Sequence, residues 1–292
     1  MGGLARMTMD RTDPTRAEVY LYPEVFRLLA YTALVATLAS GFVWTRFVLV
    51  PAGKVSLTNN TLYENFGYNN ACLYIDDLPV KYLAIFLSTI FSISWVAYDV
   101  LFWVRAFSAM RIGRISRPSY YLHLCITVYS SFAAIYFLGV FVVHPSEDFF
   151  MHTLPFSLLI ISVSLVGIRN VVFGHATGRF GGSVAMTWLV NFYLVVLVVM
   201  SVMKVVFQFM GIVLLTPPSP ALGQLNDQIW MLCALVVPIA FDLIGLCCMR
   251  DKMHCLHITV GLAEAFVPAA VANPAEAVEI VEPEASEAGR AI

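Results

Sequence analysis

Four polar residues stand out because apolar sequence surrounds them: Asp99, His123, Asn191 and Asp242. A carboxylate beside an imidazole can fix its tautomer and raise its basicity, which frees the second ring nitrogen as base or nucleophile. In that reading Asp99 orients His123 and the two form a catalytic pair. Asp242 and Asn191 bind substrate, one holding an amine and the other donating to a developing oxyanion. Lys204 is a fifth, isolated charge. The plainer reading is that such groups hydrogen-bond between helices, at roughly 0.6–2 kcal/mol each. Lys204 would then snorkel toward the membrane surface, with Glu147, Asp148 and His152 as its nearest candidate partners.

The elements that must position these residues are set by composition. With 60% hydrophobic and only 12% charged residues, the chain is no ordinary soluble domain. Six apolar runs, 28–45, 82–104, 121–143, 151–172, 186–212 and 229–249, reach or approach the roughly 20 residues that a ~30 Å hydrocarbon core demands. The runs lack period-2 alternation, so helices rather than barrel strands satisfy the backbone. The fold class is therefore an all-α membrane protein, a bundle of six transmembrane helices. A net charge of −2 gives no support for nucleic-acid binding.

Thirteen of the seventeen Lys and Arg fall in segments on one side, and the opposite side carries only Arg46, Lys54 and Lys81. The positive-inside rule places both termini in the cytosol, as an even number of spans requires. Asn59-Asn60-Thr61 is a glycosylation sequon in the first outer loop, which suits an endomembrane, the endoplasmic reticulum foremost. This topology puts the polar residues in one cytosolic half: Asp99 lies ~8 Å deep, His123 ~3 Å and Asp242 ~10 Å, with Asn191 near the start of its span. Trp95, Phe102, Ile126, Trp188 and Leu243 would supply an apolar chamber beside them, with Trp95 against the substrate.

The flanks read differently. Residues 1–26 form a mobile cytosolic segment, 27–258 the six-helix domain, and 259–292 a disordered Ala-, Pro- and Glu-rich acidic tail. His254, Cys255 and His257 make a compact group, but a metal site needs further ligands, so neither a metal nor a bound cofactor is expected. The six cysteines are scattered and imply no disulfide framework.

The order of these residues resembles the TLC domain, the membrane domain shared by ceramide synthases, translocation-associated TRAM proteins and several lipid-regulating proteins. Tyr98-Asp99 looks like the family's Tyr-Asp, and His123-Leu124-Cys125-Ile126 like its catalytic His-His segment. His152-Thr153-Leu154-Pro155-Phe156 is similar to a Ser-Thr-Pro-Phe element. Asn191 with Lys204 resembles an Asn and a basic residue on the next span, and Asp242-Leu243-Ile244-Gly245 a final Asp-hydrophobic-Ile-Asn. The chain departs from the pattern at Leu124, at Lys204 for Arg and at Gly245 for Asn, and it lacks the acidic residue before Ser-Thr-Pro-Phe. The resemblance implies lipid metabolism in the endoplasmic reticulum, with acyl-CoA as co-substrate of an acyl transfer at His123.

These observations together lead to the expectation of a polytopic endomembrane protein that binds or processes a lipid or acyl chain in a cytosol-facing intramembrane pocket. Membrane lipids are its partners, and a homo-oligomer or another membrane protein is compatible with the bundle. Two other readings stand beside it. One is a transporter or channel with a polar path lined by Asp99, Asp242 and Lys204; the other is a non-catalytic interaction or structural protein.

Overall fold

The computed structural model describes residues 5–9, 16–69, 71–178, 184–212, 219–248 and 256–261. Eight α-helices are present among them: α1 (Pro23–Trp44), α2 (Thr61–Phe66), α3 (Val80–Arg111), α4 (Arg117–Tyr136), α5 (Phe149–Ala176), α6 (Val184–Ile212), α7 (Pro220–Met231) and α8 (Val237–Cys248). Starts are marked by residues that spare or satisfy the first amides. Pro23 opens α1, and the Asp148 carboxylate accepts from the Met151 amide 2.9 Å away at the start of α5. Between α7 and α8 the backbone passes through a π-helical segment, Leu232–Val236. Pro238 stands two residues beyond it and cannot donate back to the ladder, a common cause of such a wide turn.

Six helical stretches are long and apolar enough to cross a membrane: Pro23–Leu49, Val80–Arg111, Arg117–Phe141, Phe149–Ala176, Val184–Met210 and Pro220–Leu243. Several run further than the apolar runs alone suggested, because a helix continues through the headgroup layer where its residues turn polar. Each packs on its sequence neighbour and α8 returns to α1, closing the ring. Large apolar side chains face outward, Trp188 at 72% exposure, Phe192 and Val195 among them. That inverted surface is what lipid solvates.

Three short strands lie beside the helices: β1 (Ala5–Met9), β2 (Arg16–Leu21) and β3 (Leu256–Gly261). They pair antiparallel in the order β1-β2-β3, with Arg16 opposite Gly261 and Leu21 opposite Leu256. Thr, Val, Tyr and Ile, residues that suit a pleated surface, recur in them. Two boundaries read from the sequence therefore shift. The 1–26 segment contains two strands and the start of α1, and the 258/259 limit cuts β3. The tail from 262 onward lies outside the described residues. Because β2 leads into α1 and β3 follows α8, both ends of the bundle's chain meet at one end of it, here the terminal end.

The far end is capped by the connection between α1 and α3. Leu62, Phe66, Tyr68, Cys72 and Ile75 are buried there, and the Asn60 side chain caps α2 by accepting from the Tyr63 amide at 2.8 Å. Gly41 on α1 permits the approach: a Cβ there would lie 2.4 Å from the Tyr74 carbonyl oxygen.

Candidate functional site

The buried charges form two layers, one toward each end of the bundle. At the terminal end α3 presents Asp99, fully buried. One carboxylate oxygen accepts from Arg169 Nη1 of α5 at 2.8 Å; the other accepts from the Ser130 and Ser131 hydroxyls of α4. Arg169 also donates to Thr127 Oγ1 at 2.7 Å and lies 3.9 Å over the Phe102 ring. On the other side Asp242 of α8 takes two hydrogen bonds from Arg27 of α1. Tyr98 stands between the pairs. Its ring centroid is 5.4 Å from each guanidinium, and its hydroxyl accepts from Arg27 and donates to Asn170. A third buried pair, Arg105 with Glu24, joins α3 to α1.

This arrangement revises the expected catalytic constellation. Asp99 and Asp242 do face one interior network, but neither contacts His123. A carboxylate stripped of water gains more from a permanently charged guanidinium than from a neutral imidazole. His123 is 2% exposed, its Nε2 lies 3.4 Å from Ser119 Oγ, and its ring packs edge-on against Phe102 and Phe173. Asn191 is exposed and contacts His175 Nε2 at 3.0 Å, away from the network. Trp95 is a core residue that donates to Ser130 Oγ at 2.7 Å and meets Tyr31 edge-on. Phe102 and Ile126 are buried in the same core, whereas Trp188 and Leu243 face outward and line no shared chamber.

The far layer contains Lys204, which does not snorkel. At 1% exposure it donates to Asp227 of α7, and Tyr68 from the cap donates to the same carboxylate oxygen at 3.1 Å. Gly223 makes room for Tyr68, since a Cβ there would lie 2.4 Å from its ring. Nearby, His152 Nε2 lies 3.5 Å from Asp76 Oδ2, and its Nδ1 bonds the Val143 carbonyl at 2.8 Å. The expected partners Glu147 and Asp148 are not used: Asp148 caps α5 instead.

Beside Asp227 opens a cavity of about 300 Å³ between α1, α7 and the cap. Val35, Leu38, Phe42, Met231 and Leu235 form its apolar wall, and Asn69, Gln224, Asp227 and Gln228 its polar end. Since α1 runs toward the far end and α7 runs away from it, Val35, Leu38, Met231 and Leu235 sit at mid-depth and the polar group nearer the far end, where Phe42 packs against Tyr74 of the cap. The cavity is thus not at the terminal end, where the sequence placed a pocket.

Sequence reasoning missed Arg27, Arg169 and Asp227. In the sequence the two arginines look like flanking charges, though a buried Asp in a span itself calls for a cation at equal depth. Asp227 fell two residues before the expected sixth span. Asn59 is exposed in the cap. Among the described residues no group of three or more His, Cys, Asp or Glu could hold a metal ion, and His254 and Cys255 lie outside them. No family model, curated protein or solved structure matches the chain.

Proposed function

We propose that this integral membrane protein binds a membrane amphiphile, apolar chain inward, in the cavity between α1 and α7. The observation that carries the reading is the direction of polarity in that cavity. Val35, Leu38, Met231 and Leu235 line it at mid-bilayer depth, and all its polar side chains, Asn69, Gln224, Asp227 and Gln228, lie toward the far end, the gradient that a lipid standing in one leaflet itself has. A volume of about 300 Å³ lies at the lower end of the roughly 300–1,000 Å³ typical of ligand sites, enough for part of a chain. The two-layer network of ion pairs serves as the rigid frame around it.

Lys and Arg gather toward the terminal end, so we orient the termini to the cytosol and the cavity to the opposite leaflet of an endomembrane, such as that of the endoplasmic reticulum. The reading keeps the lipid-handling part of the TLC resemblance. Acyl transfer from acyl-CoA has less support, because the His123 ring is enclosed by Phe102 and Phe173.

Photolabelling tests the proposal. A long-chain alcohol carrying a diazirine on its chain, added to the full-length protein in lipid nanodiscs, should label peptides containing Phe42 and Met231. Ala39 of α1 also lines the cavity, and Ala39→Trp, which fills it, should remove that labelling. Labelling spread evenly over the lipid-facing surface, unaffected by Ala39→Trp, would show an ordinary annular lipid and end the reading.

A further inference from the structure

We infer that the cavity selects amphiphiles whose head is uncharged and donates hydrogen bonds, a hydroxyl above all, and that Asp227 is the selecting residue. The inference rests on the amphiphile-binding reading above and specifies its ligand.

Geometry decides which part of the Asp227–Lys204–Tyr68 group a ligand meets. Asp227 borders the cavity, while Lys204 and Tyr68 do not. Both donors converge on one oxygen of the carboxylate, Oδ1. A carboxylate has about four lone-pair sites on two oxygens and no proton to give. The edge turned to the ligand is therefore an acceptor, with its countercharge behind it. A phosphate or carboxylate head would meet that negative edge first, and once it has displaced the cavity water little remains to screen the repulsion. An ammonium head would compete for a carboxylate already neutralised by Lys204 and would bring a second cation beside it. A hydroxyl can donate to Asp227 and accept from the amide side chains of Asn69, Gln224 or Gln228 without changing the charge of the site.

Selectivity of this kind requires that the charges be held, and they are. Lys204 and Asp227 are both buried, and Tyr68 is wedged against Gly223, so the carboxylate cannot swing away to pair elsewhere.

The test compares three probes of equal chain length, dodecanol, dodecanoate and dodecylamine, as competitors of the photoactivatable alcohol at a pH where the acid and the amine are both charged. Binding is counted as the part that Ala39→Trp removes, which cancels partition into the surrounding lipid. Dodecanol should compete about tenfold or more better than either charged probe. The double variant Asp227→Asn/Lys204→Met, which removes both charges together, should bring dodecanoate to within a few-fold of the alcohol. Equal competition by all three probes, or preference for a charged one, overturns the inference while leaving the cavity occupied as proposed. An Ala39→Trp protein that competes like the parent removes the binding site itself. If the double variant does not fold, the ranking in the parent protein decides alone.

Discussion

The two charged layers of the bundle are built from different chemistry. The terminal layer uses arginine throughout: Arg27 with Asp242, Arg169 with Asp99, and Arg105 with Glu24. The far layer uses lysine and histidine, Lys204 with Asp227 and His152 beside Asp76. Guanidinium keeps its charge in any surroundings and offers a rigid fork of donors, whereas ammonium and imidazole can give up a proton. The arginine pairs tie α1 to α8, α3 to α5 and α1 to α3, all of them spans. The lysine and histidine contacts instead hold the cap and α7, next to the cavity. One layer fastens the frame; the other sits where a ligand would come and go.

The largest expected effect lies in the terminal layer. Arg169→Met should leave Asp99 buried with only hydroxyl donors, and breaking a buried pair by removing one partner costs about 3–5 kcal/mol. Loss of folded protein in detergent, read as thermal unfolding or as monodisperse yield, should be severe. The double variant Arg169→Met/Asp99→Leu should recover much of that loss, since replacing both partners by apolar groups is often neutral. If the double variant is as damaged as the single one, the network acts through more than the pair.

Lys204→Met should cost less, about 1–3 kcal/mol. Asp227 keeps the Tyr68 hydroxyl and borders the cavity, from which water can reach it. The melting temperature should fall by less than in Arg169→Met. An equal or larger fall would mean that the far layer is as closed as the terminal one and that the two layers do not differ in this respect.

Much of the frame could be read from the sequence. Six apolar runs and the distribution of Arg and Lys are long-range features that hydropathy and charge alone encode. Asp99 and Asp242 were legible as costly buried groups that face one interior. Their partners were not, because an arginine at a span's edge looks the same whether it reaches for headgroups or turns inward to a carboxylate. Asn191 illustrates the reverse error: its depth fits the cluster, but its place around the helix turns it outward, and one residue is worth 100° of rotation. The cavity was hidden for another reason. It is made by the cap meeting α1 and α7, three segments distant in sequence, and Asp227 gained meaning only once Lys204 was seen to be buried.

The smallest effect concerns pH and lies in the cap, outside the spans. Burial, reinforced by the neighbouring Asp77 carboxylate, holds the Asp76 carboxyl well above its ordinary range, with Lys81 opposing. His152 Nδ1 is committed to the Val143 carbonyl. A carbonyl only accepts, so Nδ1 carries the proton there, and the neutral ring offers Nε2 as an acceptor toward Asp76, which suits a protonated carboxyl. The folded state then binds a proton that the unfolded chain releases near pH 4. Stability from this group is full below that value and is lost as pH rises through the raised folded pKa. Unfolding followed by the accessibility of Cys72, buried in the same cap, should become easier as pH rises over that window. Asp76→Asn should flatten the dependence while leaving the terminal layer unchanged. A cap that tightens as pH rises would mean that Asp76 is charged when folded and is held by an ionic contact, with His152 or Lys81 as its partner.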